Sequence, residues 1–217
     1  MRMRYVAACA VLASFVAAQS GVAQKVKSSS LAPMIGPVVG LNIFSFTGSD
    51  ATGTKSLSTI TLGGAVSFQL SPSVFFEPQL LYSTKGASAD LGGITAKFNI
   101  HYVDLPLLLG VRIPTQSGIR PYIVVGPVAG YQVKCDISAT SGGTTSSGNC
   151  KDNGIDVKNF NFGVTGGAGL EFLAGPMTLQ AGARYELGLS EPLTGSNVKN
   201  SGIAIAVGAM FSLGRRQ

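Results

Sequence analysis

His101 is the only imidazole in the chain, so any general base of the usual kind would have to be built around it. It stands in the run His101-Tyr102-Val103-Asp104. An enzyme that hydrolyses lipid needs a Ser nucleophile beside the imidazole and a carboxylate to orient the ring. On an extended chain position 103 shares the face of His101, and a Val occupies it. His101 reads as a single polar residue near a loop rim, and no enzyme is expected. The cysteines are Cys9, Cys135 and Cys150. The last two flank DISATSGGTTSSGN, a Gly/Ser/Thr-rich stretch expected to be a loop. No further His or Cys lies near them to complete a metal site, and Cys9 falls in an N-terminal stretch with the pattern of a cleaved export signal. The even pair left in an exported chain favours bonding, so a Cys135–Cys150 disulfide is expected. Gly163, Gly166, Gly167 and Gly169 look like a dinucleotide fingerprint in composition only. A phosphate loop must open a helix, whereas here the alternation of strand residues runs straight on. Neither a metal nor a cofactor is expected.

The elements that hold these residues come from an apolar, charge-poor chain. Of its 217 residues 45% are hydrophobic and 12% charged, about half the usual charged share. Mean hydropathy is +0.34. Beyond the N-terminus no apolar run approaches the roughly 20 residues a membrane helix needs, and the composition is too apolar for disorder. Arg2 and Arg4 precede an apolar stretch, Tyr5 to Ala18, followed by small residues. This is the pattern of a secretory signal peptide, with cleavage placed after Ala23. Residues 1–23 are thus expected to be a signal and 24–217 a single barrel domain. Val6-Ala7-Ala8-Cys9 resembles a lipoprotein box, but the apolar segment before it is too short. Losing Arg2 and Arg4 lowers the net charge from +6 to +4. The lysines are scattered singly, without the clustered basic face that nucleic acid requires, so no nucleic-acid partner is expected.

Period-2 alternation recurs in eight segments, roughly 34–46, 58–70, 74–85, 97–113, 119–135, 159–172, 177–189 and 200–213. Long polar connections (47–57, 86–96, 136–158, 190–199) alternate with short ones (71–73, 114–118, 173–176). That rhythm predicts an all-β, eight-stranded antiparallel up-and-down transmembrane β-barrel with both termini on the short-turn rim. A soluble lipocalin-like barrel alternates too. Its second face would carry many charges, whereas here that face is largely Gly, Ala, Ser and Thr, which suits a crowded lumen. The apolar face is left for outer-membrane lipid. On that face Tyr82, Tyr131, Phe160 and Tyr185 lie near the long loops, and Phe68, Phe76, Phe172 and Phe211 near the short turns or the C-terminus. These are expected to form two aromatic girdles. Phe160 and Phe172 are separated by about 40 Å of strand at ~3.3 Å per residue. A ~45° tilt reduces this to a height of ~28 Å, near the ~25 Å apolar band of such barrels. Pro78, Pro106 and Pro127 fall inside strands and are read as bulge positions.

Five segments, FNIHYVDLPLLLGVRI, IRPYIVVGPVAGYQV, FNFGVTGGAGLEF, ARYELGLSEP and GIAIAVGAMFSLG, resemble the PorT-like outer-membrane β-barrel family in content and order. The resemblance covers nearly all of the chain after the signal. It implies an eight-stranded, porin-like outer-membrane barrel without shared catalytic residues. The chain departs from the general outer-membrane pattern by ending Phe211-Ser212-Leu213-Gly214-Arg215-Arg216-Gln217, with no terminal aromatic.

The inward parity carries Glu77, Asp104, Glu171 and Glu186 against Arg112, Arg120 and Arg184. Glu77–Arg112 and Arg120–Glu171 are the pairs expected near the short-turn rim, with Asp104, Arg184 and Glu186 as a second cluster at mid-height. Eight strands leave an interior that side chains just fill, so this network is expected to plug the lumen. The leading expectation is a monomeric, non-enzymatic barrel that presents its long loops in a structural, adhesive or secretion-accessory role, to an extracellular or periplasmic protein that the sequence does not identify. A small-solute porin-like channel is the alternative. A membrane-embedded lipid-modifying enzyme and a soluble carrier follow.

Overall fold

The computed structural model describes residues 32–51, 53–175 and 177–213. The signal peptide expected over residues 1–23, with Cys9, and the tail from Gly214 lie outside the described residues. Among the described residues alternation of side chains turns into nine strands: β1 (Met34–Thr47), β2 (Thr54–Gln69), β3 (Val74–Leu91), β4 (Ile94–Arg112), β5 (Ile119–Ser141), β6 (Thr144–Asn149), β7 (Phe160–Ala174), β8 (Met177–Gly188) and β9 (Lys199–Ser212). Every pairing is antiparallel. β1 pairs with both β2 and β9, and β4 pairs with β5, so eight strands close into a ring in the order β1-β2-β3-β4-β5-β7-β8-β9. The closed ring leaves no barrel edge unpaired. No helix among the described residues is long and apolar enough to cross a membrane.

The ring is apolar outside and polar inside. Val39, Leu62, Leu80, Val125, Phe162, Ile205 and Val207 are exposed on its outer face. Asn42, Thr61, Gln79, Asp104, Arg112, Thr165, Glu171, Gln180 and Glu186 are buried. This inversion of the soluble pattern follows from strict alternation in a closed sheet, where each strand must give one face to the lumen.

Two expected loops are instead strand. The segment 86–96 continues β3 and β4 to a two-residue turn at Gly92-Gly93, and 136–158 contains the upper part of β5 and all of β6, joined at Gly142-Gly143. All four glycines have positive φ (57° and 96°, 54° and 82°), the backbone a tight hairpin needs and side chains resist. Ser and Thr around them satisfy the ladder as well as they would a loop. These extensions form a sheet above the ring. Its inner face runs in two cross-strand rows, Ala89–Ala96–Ala139–Ser146 and Ala87–Phe98–Ile137–Gly148. Its outer face carries Ser88, Lys97, Ser138, Ser147, Asp90, Thr95, Thr140 and Thr145. Lys55 and Asp90 pair across it at 2.6 Å. Their hydrogen bond holds the Asp90 carboxyl below the usual carboxylate range, though so exposed a pair adds little stability.

The prolines do not sit at bulges. Register slips occur between Ser56 and Thr61 on β2 and between His101 and Tyr102 on β4. Around Pro106 and Pro127 the register stays constant while partners are missing opposite: Gln79 and Leu80 have none on β4, and Leu107 and Leu108 have none on β5. Each proline thus removes ladder bonds locally, and the closed ring holds the alignment on both sides.

Candidate functional site

At the short-turn end of the lumen Glu171 lies directly opposite Arg120 in the β5–β7 register, with Arg120 Nη2 2.9 Å from its Oε2. Arg112 reaches the same carboxylate from β4, its Nε donating to Oε1 at 2.9 Å and Oε2 at 2.8 Å, while its guanidinium stacks 3.9 Å from the centre of the Phe75 ring. Glu77 does not pair with Arg112. In the β3–β4 register Glu77 faces Leu108, four residues along from Arg112, because the stagger that closes a barrel offsets residues that look level in sequence. Glu77 instead accepts from Gln79 Nε2 (2.9 Å) and Gln180 Nε2 (3.2 Å), and Gln180 also donates to Glu171 Oε1 at 3.2 Å. Arg184 Nη1 donates to Gln79 Oε1 at 3.0 Å. The lower network therefore runs Arg112 and Arg120, Glu171, Gln180, Glu77, Gln79, Arg184.

The upper cluster is built on a residue that sequence reasoning placed near a loop. Lys85, 2% exposed, sits 2.9 Å from Asp104 Oδ2 and 2.5 Å from Glu186 Oε1. Ser83 donates a hydroxyl hydrogen bond to Asp104. The Phe44 and Tyr102 rings lie 5.3 and 5.6 Å from the ammonium, adding cation–π attraction. Asp104 and Glu186 thus share Lys85, and Arg184 belongs to the lower network. Lys85 was legible: positions 77, 79, 81, 83 and 85 share one parity, and only the expected end of β3 hid it. Gln79 and Gln180 share the parity of the charges they link. With Lys85 the lumen holds four acids and four bases.

Small residues make room for large ones. A Cβ on Gly169 or Gly182 would come within 2.4 or 2.7 Å of the Tyr122 hydroxyl. The cavities left between the side chains at the two levels measure about 30 and 20 Å³, room for a water or two.

Cys135 and Cys150 form a disulfide, Cα to Cα 5.4 Å. They extend the β5–β6 ladder by one step beyond Asp136↔Asn149, which brings facing residues to bonding distance. Of the girdle aromatics, Tyr82, Tyr131, Phe160, Tyr185, Phe68, Phe172 and Phe211 are exposed on the outer face, and Phe76 is half-buried opposite Phe68. Tyr131 meets Phe160 edge-on at 5.3 Å.

His101 has more company than position 103 offered. Its Nδ1 is 3.0 Å from the Tyr82 hydroxyl and 2.9 Å from Thr84 Oγ1, and its Nε2 is 3.3 Å from Asp136 Oδ2. All three partners come from neighbouring strands, where a search along one strand cannot find them. Hydroxyl, imidazole and carboxylate are in triad order, but Thr84 is buried and the Tyr82 hydroxyl shares the same ring nitrogen. Lys134 also engages Asp136 at 2.7 Å. The group stitches β3, β4 and β5 at the bulge. Among the described residues no cluster of His, Cys, Asp and Glu could hold a metal ion.

An inside-out, closed eight-stranded ring defines a membrane β-barrel. The sequence matches the outer membrane protein beta-barrel domain family over residues 17–192, and the chain belongs to that family. It is a bacterial outer-membrane protein, with its apolar belt in lipid. No curated protein sequence matches the chain significantly. Among solved structures it aligns with Neisserial surface protein A (15% identity, TM-score 0.49, 84% of this chain and 98% of that one). It also aligns with the attachment invasion locus protein Ail of Yersinia pestis (14%, 0.42, 83% and 99%) and with outer membrane protein W of E. coli (13%, 0.46, 85% and 100%).

Proposed function

We propose that this protein is a non-enzymatic outer-membrane scaffold of the PorT-like branch, whose lumen is sealed and whose work is done by the structures it raises above the membrane. The observation that carries this reading is the lumen itself. Four carboxylates and four cations are linked at two levels, directly or through Gln79 and Gln180, and the pockets between them at those levels measure about 30 and 20 Å³. Charges so enclosed are kept only when paired, and pairing across the lumen bars a continuous water path. The two sets of aromatics mark the lipid interfaces, and the protein acts as a monomer. The tall hairpins are the surface on which an adhesive or secretion-accessory partner would act. The His101 group lacks an accessible nucleophile and serves the wall.

Planar-bilayer recordings test the seal. The reconstituted protein is expected to give no steady open-pore current. A steady, large conductance would overturn the reading in favour of a small-solute channel.

A further inference from the structure

Above the disulfide the wall of the barrel changes partner. β5 pairs with β7 up to Tyr131↔Phe160, and from Asp136 onward its place beside β5 is taken by β6. The ring therefore opens into a curled sheet of β2, β3, β4, β5 and β6, whose inner face continues the lumen face upward. This face encloses a groove of about 430 Å³ against Phe46, Thr54 and Asn153. Sites for small molecules commonly measure about 300–1,000 Å³ and occur in the mouths of β-barrels.

We propose that this groove is a blind binding site for a small, neutral, largely apolar molecule carrying one hydrogen-bonding group. Three observations point the same way. The inner rows hold Ala, Phe, Ile, Ser and Gly; the one charged residue bordering the groove, Lys97, belongs to the outer-face parity and is exposed, so no charge is held inside to balance a charged ligand. The nearest buried charge, Lys85, is already engaged by Asp104 and Glu186. The floor is closed: Ile100, Tyr102 and the Cys135–Cys150 bridge form a buried apolar cluster, with Phe46, Phe98 and Ile137 packed on it. The third observation is a local conflict. Alanine is a poor strand former, yet Ala87, Ala89, Ala96 and Ala139 all face the groove, while the opposite face uses Ser and Thr. Bulky β-branched residues would favour the strand and fill the space. Keeping alanine there preserves the space, the kind of inconsistency expected at a functional position. Thr54 Oγ1, whose proton goes to the Ala51 carbonyl, and the amide of Asn153, whose Nδ2 donates to the Asn149 carbonyl, leave acceptor oxygens at the margin, and Phe98 and Ile137 form an apolar base.

The inference goes beyond the sealed scaffold, and its test reads the groove whether or not the lumen conducts. The folded protein, in lipid nanodiscs and with labelled alanine methyls, is titrated with 1-naphthol and separately with the anionic 1-naphthoate. Saturable shifts at Ala89, Ala96 and Ala139 with 1-naphthol are expected, with naphthoate weaker by about tenfold or more. Ala96→Phe, which fills the groove outside the membrane-spanning wall, should abolish the shifts while heat-modifiable migration shows the barrel still folded. Non-saturable shifts matched at lipid-facing Ala183 would mean partition into lipid and overturn the proposal. So would equal affinity for naphthoate, unchanged binding by Ala96→Phe, or a particle of two chains whose groove alanines are covered by the second copy.

Discussion

The charged residues of the lumen show how one position's neighbours depend on barrel stagger. Arg112 and Arg120 both serve Glu171, so the strongest coupling should lie there and not with Glu77. A double-mutant cycle measured by urea unfolding in vesicles checks this. Arg112→Ala leaves Glu171 with one guanidinium in a buried setting and should destabilise the barrel. Adding Glu171→Gln should give a coupling energy of about 0.5–3 kcal/mol, the range for groups in direct contact. Arg112 with Glu77→Gln should couple less, because Glu77 reaches Glu171 only through Gln180. Coupling to Glu77 as large as that to Glu171 would show that the register of β3 on β4 is wrong. The seven lumen charges expected from parity all face inward, yet of the pairings expected among them only Arg120–Glu171 forms, since partner choice depends on offsets between strands that no single strand records.

At the scale of elements the two tall hairpins were the features hardest to read. Gly92-Gly93 and Gly142-Gly143 are hairpin signals, but the Ser, Thr, Ala and Gly around them are loop-like in composition. What makes them strands is the neighbour: β4 offers its edge to β5, and β5 offers its own to β6. The disulfide closes the base of β6. In the denatured, unreduced chain from residue 24 onward no free thiol should titrate, and two should appear after reduction. Closing a loop of 15 residues is worth about 3 kcal/mol in the chain-entropy model. The effect should be read as order in β6, because the ring closes without it. Two free thiols before reduction would disprove the bond. The β1–β2 loop is tied separately: the Asn197 N–H donates to Asp50 at 2.9 Å and, with the Ser49 hydroxyl, holds that carboxyl below the usual range.

For the molecule as a whole, orientation in the membrane decides what substitution costs. Val207 is exposed on the apolar belt, and Ser146 stands on β6 above it. Val207→Arg, like Ala183→Arg, should impair insertion by about 2–4 kcal/mol if it lies near the bilayer midplane, whereas Ser146→Arg should cost little. Folding yield in lipid, read from heat-modifiable migration, compares them. Equal yields would mean that the apolar face does not meet lipid. The lumen and the belt exchange the roles of core and surface found in soluble proteins, so stability should respond to polar pairing inside and to apolar continuity outside.

Between bulges, alternation with period 2 determines which face a residue takes, and the rhythm of long and short connections determines the number of barrel strands and the rim on which they turn. Both are local properties, set by the pleat and by turn length, and both are legible residue by residue. The closure of β1 on β9, the pairing of Lys85 with Asp104 and Glu186, and the change of partner from β7 to β6 along β5 are not local. They depend on the shear of the closed sheet, a single global quantity shared by all eight strands. Only the folded ring sets it, and with it which side chains meet across the lumen and which strands border the groove above.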